Sequence, residues 1–180
     1  MCEGENWEGV SLDDFMSCPF NLANNRQTRM LADLTLVDCY NHSAFSDPSE
    51  RDRLVLQSAM DNLRSMVFFG LTERQVDSQH LFEHLFKIHF IEDFEQRNST
   101  HADRVHVTEE QMRKIESLNS LDTRLYRYAL QLFDRRVQQL RQAQHRNVAR
   151  HNVSDHSELN KHSGIGRRLV NLAKNLTDTI

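Results

Sequence analysis

Residues 108–145 constrain the fold more than any other part of this sequence, because their apolar side chains recur with the period of an α-helix. The recurring residues, at alternating spacings of three and four, are Leu118, Leu121, Leu125, Tyr128 and Leu132. Such a stripe lies along one helix face and is typical of packing against a core or another helix. Thr108 and Gln111 have the spacing of a capping box at the start of this segment. We therefore predict one helix from 108 to about 145.

The remainder of the chain also favours helices, since only five Gly and two Pro occur among its 180 residues and loop signals are correspondingly few. Asn24 or Asn25 is expected to cap a short helix, and Pro48 to open a longer one that ends near residue 65. The apolar face of the longer helix comprises Leu54, Leu56, Ala59, Met60 and Leu63. No run reaches the ~18 apolar residues that span a membrane, and the N-terminal "MCEGENWEGV" contains no apolar signal-peptide core.

The segment "VFFGLTERQ" (67–75) is predicted to be a turn between a buried strand and a helix. Residues 66–69 are apolar and too few for a helix, so we expect a short buried strand there. Thr72 and Gln75 have capping-box spacing, which predicts a helix from 73 to about 87. Gly70 is then a structural glycine, because a phosphate-binding loop requires several glycines and a lysine. Apolar residues expected to face inward from this helix and the segment after it are Val76, Leu81, Phe82, Leu85, Phe86, Phe90, Ile91 and Phe94.

The sequence "HLFEH" (80–84) matches a zinc-peptidase signature, because His80 and His84 are four residues apart on a predicted helix and Glu83 could activate a metal-bound water. No further carboxylate ligand is identifiable, and the neighbouring apolar residues already explain the helix as a core element. We therefore predict no metal, and a zinc hydrolase remains only a third hypothesis. Basic residues without interleaved aromatic residues also predict no nucleic-acid partner.

Cysteines and sequons bear on the cellular compartment. Cys2, Cys18 and Cys39 match no metal-binding spacing. One disulfide with an odd thiol suits an oxidising compartment and three free thiols suit a reducing one, so both alternatives stay open. The N-x-S/T sequons favour the secretory lumen, and they begin at Asn41, Asn98, Asn152 and Asn175.

Charge is unevenly distributed along the chain. Residues 135–180 hold nine Lys and Arg against three Asp and Glu, whereas residues 1–134 hold thirteen against twenty-three. A basic end on an acidic body suits an anionic partner, although a solvated or disordered end explains it as well. We expect residues 146–180 to form a basic polar tail that is flexible.

Three long blocks carry a specific resemblance, in order along the chain. They are "MSCPFNLANNRQTRMLADLTLVDCYN" (16–41), "NLRSMVFFGLTERQVDSQHLFEHLFKIHFIEDFEQRNST" (62–100) and "ESLNSLDTRLYRYALQLFDRRVQQLR" (116–141). These blocks closely resemble the heparan sulfate 6-O-sulfotransferase family, and the resemblance covers roughly residues 2–141. It implies an α/β fold class, with residues 1–145 forming the C-terminal, predominantly helical portion of a P-loop-like sulfotransferase domain.

The resemblance implies transfer of a sulfuryl group from 3′-phosphoadenylyl sulfate (PAPS) to the 6-hydroxyl of glucosamine in heparan sulfate. It also implies a type II single-pass protein on the lumenal side of the Golgi membrane, attached through an N-terminal anchor that is absent from this chain. The family's Gly-rich phosphate loop, catalytic histidine and 3′-phosphate-binding residues lie upstream of the matched region. We therefore expect no catalytic residue in this chain, a truncated or partial sequence, and no activity from these residues alone.

One cofactor element should remain, because family members read approximately "FMQYNSTRAGG" where this chain reads "FEQRNSTHADR" (94–104). The resemblance implies that five residues here close over the PAPS nucleotide, namely Glu95, Gln96, Arg97, His101 and Ala102. His101 stands in place of an arginine and Arg97 in place of a tyrosine, so a degenerate surface loop is the alternative. Asn98 coincides with a family sequon, which with Asn41 makes two expected glycosylation sites. A second function hypothesis is a non-catalytic remnant that binds anionic glycans through the basic stretch from Arg135 to Arg150.

Overall fold

The structure is a computed structural model that describes residues 9–19, 21–95 and 106–146. Its helices, in chain order, are α1 (Leu12–Ser17), α2 (Arg26–Leu31), α3 (Pro48–Ser65), α4 (Gln75–Phe86), α5 (Glu109–Leu118) and α6, whose described residues are 120–146. Two 3₁₀ turns, Leu34–Val37 and His42–Ala44, connect α2 to α3. The predominantly helical character is thus confirmed. In these ranges no helix combines the length and apolarity needed to cross a membrane.

The chain divides into two compact units, Met1–Arg136 and Val137–Ile180. Within the first, α2 packs against α3 and α1 against α5. Buried apolar residues of its two longest helices are Val55, Leu56, Ala59 and Leu63 on α3, and Leu121, Leu125, Ala129, Leu132 and Phe133 on α6. In the second unit only residues 137–146 are described, and they are helical. The predicted domain boundary at 145 therefore stays a prediction.

The leucine stripe belongs to two helices and not to the one predicted. Residues 121, 125 and 132 of the stripe are buried, but the helix is interrupted at Asn119. The Asn119 side chain donates to the carbonyl of Ile115 at 2.8 Å and accepts from the backbone N–H of Asn25 at 3.0 Å. A side chain that bonds to nearby backbone groups competes with the helix ladder, which explains the break. The capping box of Thr108 and Gln111 at the start of α5 is confirmed.

The N-termini of α2 and α6 cap each other. Asn25 occupies the N-cap position of α2, as predicted, but its side chain makes no cap bond there. Its Oδ1 instead accepts from the N–H groups of Leu121 and Asp122, at 2.9 and 3.2 Å, at the start of α6. The Asp122 carboxylate in turn accepts from the N–H groups of Gln27 and Thr28, at 3.1 and 2.7 Å, at the start of α2. Each helix therefore supplies the acceptor that the other needs at its first turn.

The predicted buried strand at 66–69 is wrong. These residues form no strand in the structure, and Val67 is 69% exposed. Arg136 donates to the carbonyl oxygens of Met66 and Val67, at 2.8 and 3.5 Å, and so occupies acceptors that a neighbouring strand would use. An apolar run indicates a strand only when another strand pairs with it, and none does so in the described ranges. The predicted α/β fold class requires strands, and the structure contains none in the described ranges.

The turn before α4 confirms the structural role of Gly70 and corrects the predicted helix start. α4 begins at Gln75, two residues after the predicted start, and its N-cap residue is Arg74, which makes no side-chain cap bond, and not Thr72 as predicted. Residues 71–74 form a turn in which the Arg74 N–H donates to the Leu71 carbonyl at 3.0 Å. A Cβ atom at position 70 would lie 3.1 Å from Cβ and Oγ of Ser78, so glycine permits close contact between this turn and α4.

The apolar face of α4 is less buried than its periodicity predicts. Leu81 is 3% exposed, but Val76, Leu85 and Phe86 are 52, 39 and 46% exposed. Ile91, expected to face inward, is fully exposed. Helical periodicity identifies an apolar face and not the element that covers it, which is why the prediction fails for these residues.

The cysteine alternatives resolve in the structure. Cys18 is disulfide-bonded, and Cys39 is a free, exposed thiol. The arrangement of one disulfide and one odd thiol is therefore the one that this fold adopts, and it is the alternative that suits an oxidising compartment.

Candidate functional site

Two side chains of α4 hold the backbone that leads into the predicted cofactor segment. Lys87 has a left-handed conformation with φ 56° and ends the helix, after which residues 88–95 continue without regular structure. Gln79 is 3% exposed; its Oε1 accepts from the N–H of Phe94 at 2.7 Å and its Nε2 donates to the carbonyl of Glu92 at 3.4 Å. The backbone immediately before the cofactor segment is therefore attached to a buried side chain.

Glu83 fixes the same segment one helical turn further along α4. Its carboxylate accepts from the N–H of Phe90 at 2.8 Å and from Nε2 of Gln79 at 3.3 Å, and Nδ1 of His89 lies 4.0 Å away. The bond from Phe90 is the main reason why the pKa of Glu83 lies below its usual value. Glu83 is thus an ionised positioning group, and its Oε1 already accepts two hydrogen bonds.

The histidines beside Glu83 form no metal site in the described ranges. There, no group of three or more His, Cys, Asp or Glu side chains is arranged to hold a metal ion. His80 is exposed and His84 half-buried on α4. The zinc hypothesis gains no support from this geometry, because Glu83 is bonded to backbone and amide donors.

A line of aromatic rings connects α4 to the segment. Ring centroids are 4.5 Å apart for Phe82 and Phe86, 5.7 Å for Phe82 and Phe90, and 4.7 Å for Phe90 and Phe94. Phe68 meets Phe82 edge-on at 4.9 Å. Such tilted and edge-on pairs are favourable beyond their buried area, by about 0.5–1.5 kcal/mol each. The rings therefore support the segment, although Phe86 and Phe90 are exposed.

A cavity of about 950 Å³ lies beside this segment, lined by Gln75 and residues 89–95. Its lining includes one histidine and the three carboxylates of Glu92, Asp93 and Glu95. Carboxylates repel phosphate and sulfate groups, whereas an uncharged ring can lie against the aromatic side chains. The described lining is thus unfavourable to phosphate and sulfate groups, whereas its aromatic side chains offer a surface for an uncharged ring.

Most of the predicted site residues lie outside the described ranges. Glu95 is described and exposed. Asn41 is also exposed, with its Nδ2 donating to Asp38 at 2.7 Å and its Oδ1 accepting from the N–H of Ser43 at 3.2 Å. The other predicted cofactor residues and the sequon asparagine between them lie outside the described ranges, and they stay predictions: Gln96, Arg97, Asn98, His101 and Ala102.

Sequence reasoning missed the roles of Gln79 and Glu83. The zinc signature includes Glu83 only as a residue that activates water, and no sequence prediction concerns Gln79. The available signal was their spacing of four, which places a glutamine and a glutamate on one face of α4. That spacing alone could not reveal that their partners are backbone groups of the following segment.

Comparison with known proteins identifies the family. The model of the Sulfotransferase family matches residues 3–129. Heparan-sulfate 6-O-sulfotransferase 1 of Cricetulus griseus is 56% identical over 144 residues, which are 80% of this chain and 36% of that protein. Heparan-sulfate 6-O-sulfotransferase 2 of Gallus gallus is 50% identical over 147 residues, covering 82% of this chain and 36% of that protein.

Heparan-sulfate 6-O-sulfotransferase 3 of Homo sapiens is 52% identical over 142 residues, covering 79% of this chain and 30% of that protein. The chain thus spans about a third of the length of the relatives that it matches. Because the family model matches more than half of its residues, the chain belongs to the sulfotransferase family, and its similarity to the heparan-sulfate 6-O-sulfotransferases agrees with the resemblance read from its sequence.

Proposed function

We propose that this chain is part of a heparan-sulfate 6-O-sulfotransferase, which transfers the sulfuryl group of PAPS to the 6-hydroxyl of glucosamine in heparan sulfate. The observation that carries the proposal is the 56% identity to heparan-sulfate 6-O-sulfotransferase 1 of Cricetulus griseus over 144 residues. Identity this high extends through the helices that position the candidate site, and not only through a short motif.

The chain's own contribution is to position the cofactor segment. Gln79 and Glu83 hold residues 90–94, and the backbone continues from there into Glu95 and the predicted cofactor residues up to Ala102. PAPS supplies the sulfuryl group when it is bound. These residues enclose its nucleoside, and the cations that face its anionic groups are not supplied by the described lining, because that lining is acidic.

A chimera tests this function. Residues 2–141 replace the matching region of the Cricetulus griseus relative, and transfer of labelled sulfate from PAPS to heparan sulfate is measured. We expect transfer by the chimera and none by the 180-residue chain alone. A folded chimera without transfer, or transfer by the chain alone, would contradict the proposal.

The setting that goes with this function is the lumenal side of the Golgi membrane. The disulfide at Cys18 and the exposed sequon at Asn41 support a lumenal setting. In cells that secrete the chain, a glycosidase that removes N-glycans should reduce its mass. Asn41→Gln and Asn98→Gln should each reduce this loss of mass by the mass of one glycan. An unsubstituted chain whose mass does not change would contradict the lumenal setting.

The alternative of a non-catalytic glycan-binding module remains a prediction. Its basic stretch, from Arg135 to Arg150, continues beyond the described residues. Removal of residues 135–180 tests it directly, since retention on a heparin column should then fall to the level of a protein without a basic tail.

A further inference from the structure

Two adjoining cavities form a groove between α2 and the start of α3. Their volumes are about 760 and 650 Å³, within the range typical of ligand sites. They share Asn21, Leu22, Arg29 and Tyr40 in their linings. All of these residues belong to the first compact unit. We call this feature the arginine groove, because Arg26, Arg29 and Arg51 line it.

The arginine groove is a positive site on an acidic body. Asp52 is the one carboxylate in the two linings, against three guanidinium groups. None of these arginines forms an ion pair within the described residues. Residues 1–134 as a whole carry ten more acidic than basic side chains, as thirteen Lys and Arg stand against twenty-three Asp and Glu. Concentrated positive charge on such a body directs an anion to this groove and away from the rest of the surface.

Arg51 supplies the strongest sign that a ligand is accommodated here. Its side chain is only 7% exposed, and one terminal nitrogen donates to the carbonyl of Cys39 at 2.6 Å. Its Nε has no hydrogen-bond partner, although it is buried. A buried cation with an unused donor costs free energy unless an anion compensates it. Arg51 lines the second cavity, so an anion bound there lies beside its guanidinium group and compensates its charge.

Other donors in the groove are also available to a ligand. The Arg26 guanidinium, the Asn24 amide and the Tyr40 hydroxyl have no hydrogen-bond partner in the described ranges. Arg29 donates one of its N–H groups to the carbonyl of Leu22. A planar guanidinium carries five N–H donors in a fork that matches sulfate and phosphate oxygens. The groove can therefore bind more than one oxyanion group at a time.

The apolar residues of the groove indicate what carries those anions. Leu22, Met30 and Tyr40 are 60, 68 and 56% exposed along its edge. A free inorganic ion makes no apolar contacts with these side chains, whereas the ring faces of a saccharide can pack on them between its charged substituents. We propose that the arginine groove binds sulfate groups of a sulfated glycosaminoglycan. The proposal takes its ligand class from the proposed function, but the binding site itself follows from the groove.

Site-resolved binding tests this inference on the full chain. A heparin-derived hexasaccharide is titrated in the absence of PAPS, and amide NMR signals of residues 21–24 and 40 report occupancy of the groove separately from the basic tail. Loss of one charge-assisted contact in Arg26→Ala should weaken binding roughly tenfold. Arg26 is exposed and its side chain makes no hydrogen bond to any described residue, so the variant should keep its fold.

A matched control is Arg53→Ala, which removes the same charge from an exposed position on α3 that does not line the groove. It should change binding less than about twofold, because long-range effects at an exposed site are screened. Arg26→Lys keeps the charge but loses the forked guanidinium group, so its affinity for the hexasaccharide should lie between those of Arg26→Ala and Arg53→Ala. Equal weakening by Arg26→Ala and Arg53→Ala, or no movement of the groove signals, would overturn the proposal.

Two further ligands distinguish the source of the anion. An unsulfated heparosan hexasaccharide should bind far more weakly, with no difference between Arg26→Ala and the unsubstituted chain. Adenosine 3′,5′-bisphosphate that displaced the hexasaccharide and depended on Arg26 would make the groove a nucleotide site and overturn the proposal. Because these titrations contain no sulfate donor, failure of sulfate transfer and failure of groove binding remain separate outcomes.

Discussion

Replacing Asp122 with alanine should destabilise the first compact unit strongly, because this carboxylate caps α2 from α6. It accepts the N–H groups of Gln27 and Thr28, at 3.1 and 2.7 Å, and the Thr28 hydroxyl at 2.6 Å. Loss of a helix cap costs about 1 kcal/mol. The fully buried Thr28 hydroxyl would also lose its partner, which costs about 1–3 kcal/mol. We therefore expect Asp122→Ala to lower the free energy of unfolding by about 3 kcal/mol.

The assay is urea unfolding followed by circular dichroism, with Asp134→Ala as the matched control. Asp134 lies on the same helix, and its ion pair with Arg74 spans 3.2 Å with the Asp134 side chain 59% exposed. Exposed pairs of this kind contribute about 0–1 kcal/mol. Asp122→Asn keeps one acceptor oxygen and should therefore lower the free energy of unfolding by less than Asp122→Ala does. Equal unfolding midpoints for Asp122→Ala and Asp134→Ala would refute the reciprocal capping of α2 and α6.

Three further changes test the candidate site and its support. Gln79→Leu should lower the free energy of unfolding by about 1–3 kcal/mol, because the N–H of Phe94 loses its acceptor. The rate of hydrogen exchange at residues 92–95 should rise, while that of α3 stays unchanged. The pKa of Glu83 is lowered from its ordinary value of 4.5, so the ionised carboxylate stabilises the fold above that pH, and this effect is lost as the pH falls through the lower pKa of the folded state. In a plot of the free energy of unfolding against pH, Glu83→Gln should remove this acid-side decrease. Gly70→Val should destabilise the turn before α4 in the same urea unfolding assay, because the added atoms meet Ser78.

Local signals in the sequence predicted most of the helices. Pro48 marked the first residue of α3, and the Thr108 capping box marked the start of α5. Both signals act through groups within one turn of the helix, so they can be read without knowledge of the rest of the fold.

Features that depend on distant partners could not be predicted in this way. Residues 66–69 look like a strand, but the Arg136 side chain takes up carbonyl groups there from about 70 positions further along the chain. Asn25 stands at the predicted cap position and yet caps α6 and not α2, because Asp122 serves α2. Periodicity and capping rules describe what a segment needs, whereas the fold decides which residue supplies it.

In the candidate site, too, the sequence predicted the segment but not the distant residues that contact it. The resemblance pointed to the segment from Glu95 to Ala102, and Glu95 alone falls within the described residues. What the structure adds is the support for that segment, Gln79 and Glu83, together with the arginine groove elsewhere on the first unit. A single buried arginine without a partner for its Nε cannot be recognised from sequence, since burial and hydrogen bonding are properties of the folded chain.

The most direct test of the account is the position of the sulfate in the product of the chimera that carries residues 2–141. Heparan sulfate treated with the chimera and PAPS is digested to disaccharides, and each sulfated disaccharide is quantified. The account predicts a gain confined to disaccharides with sulfate at the 6-O position of glucosamine. A gain at any other position, or no gain from a chimera that folds cooperatively, would contradict the claim that this chain is a working part of a heparan-sulfate 6-O-sulfotransferase.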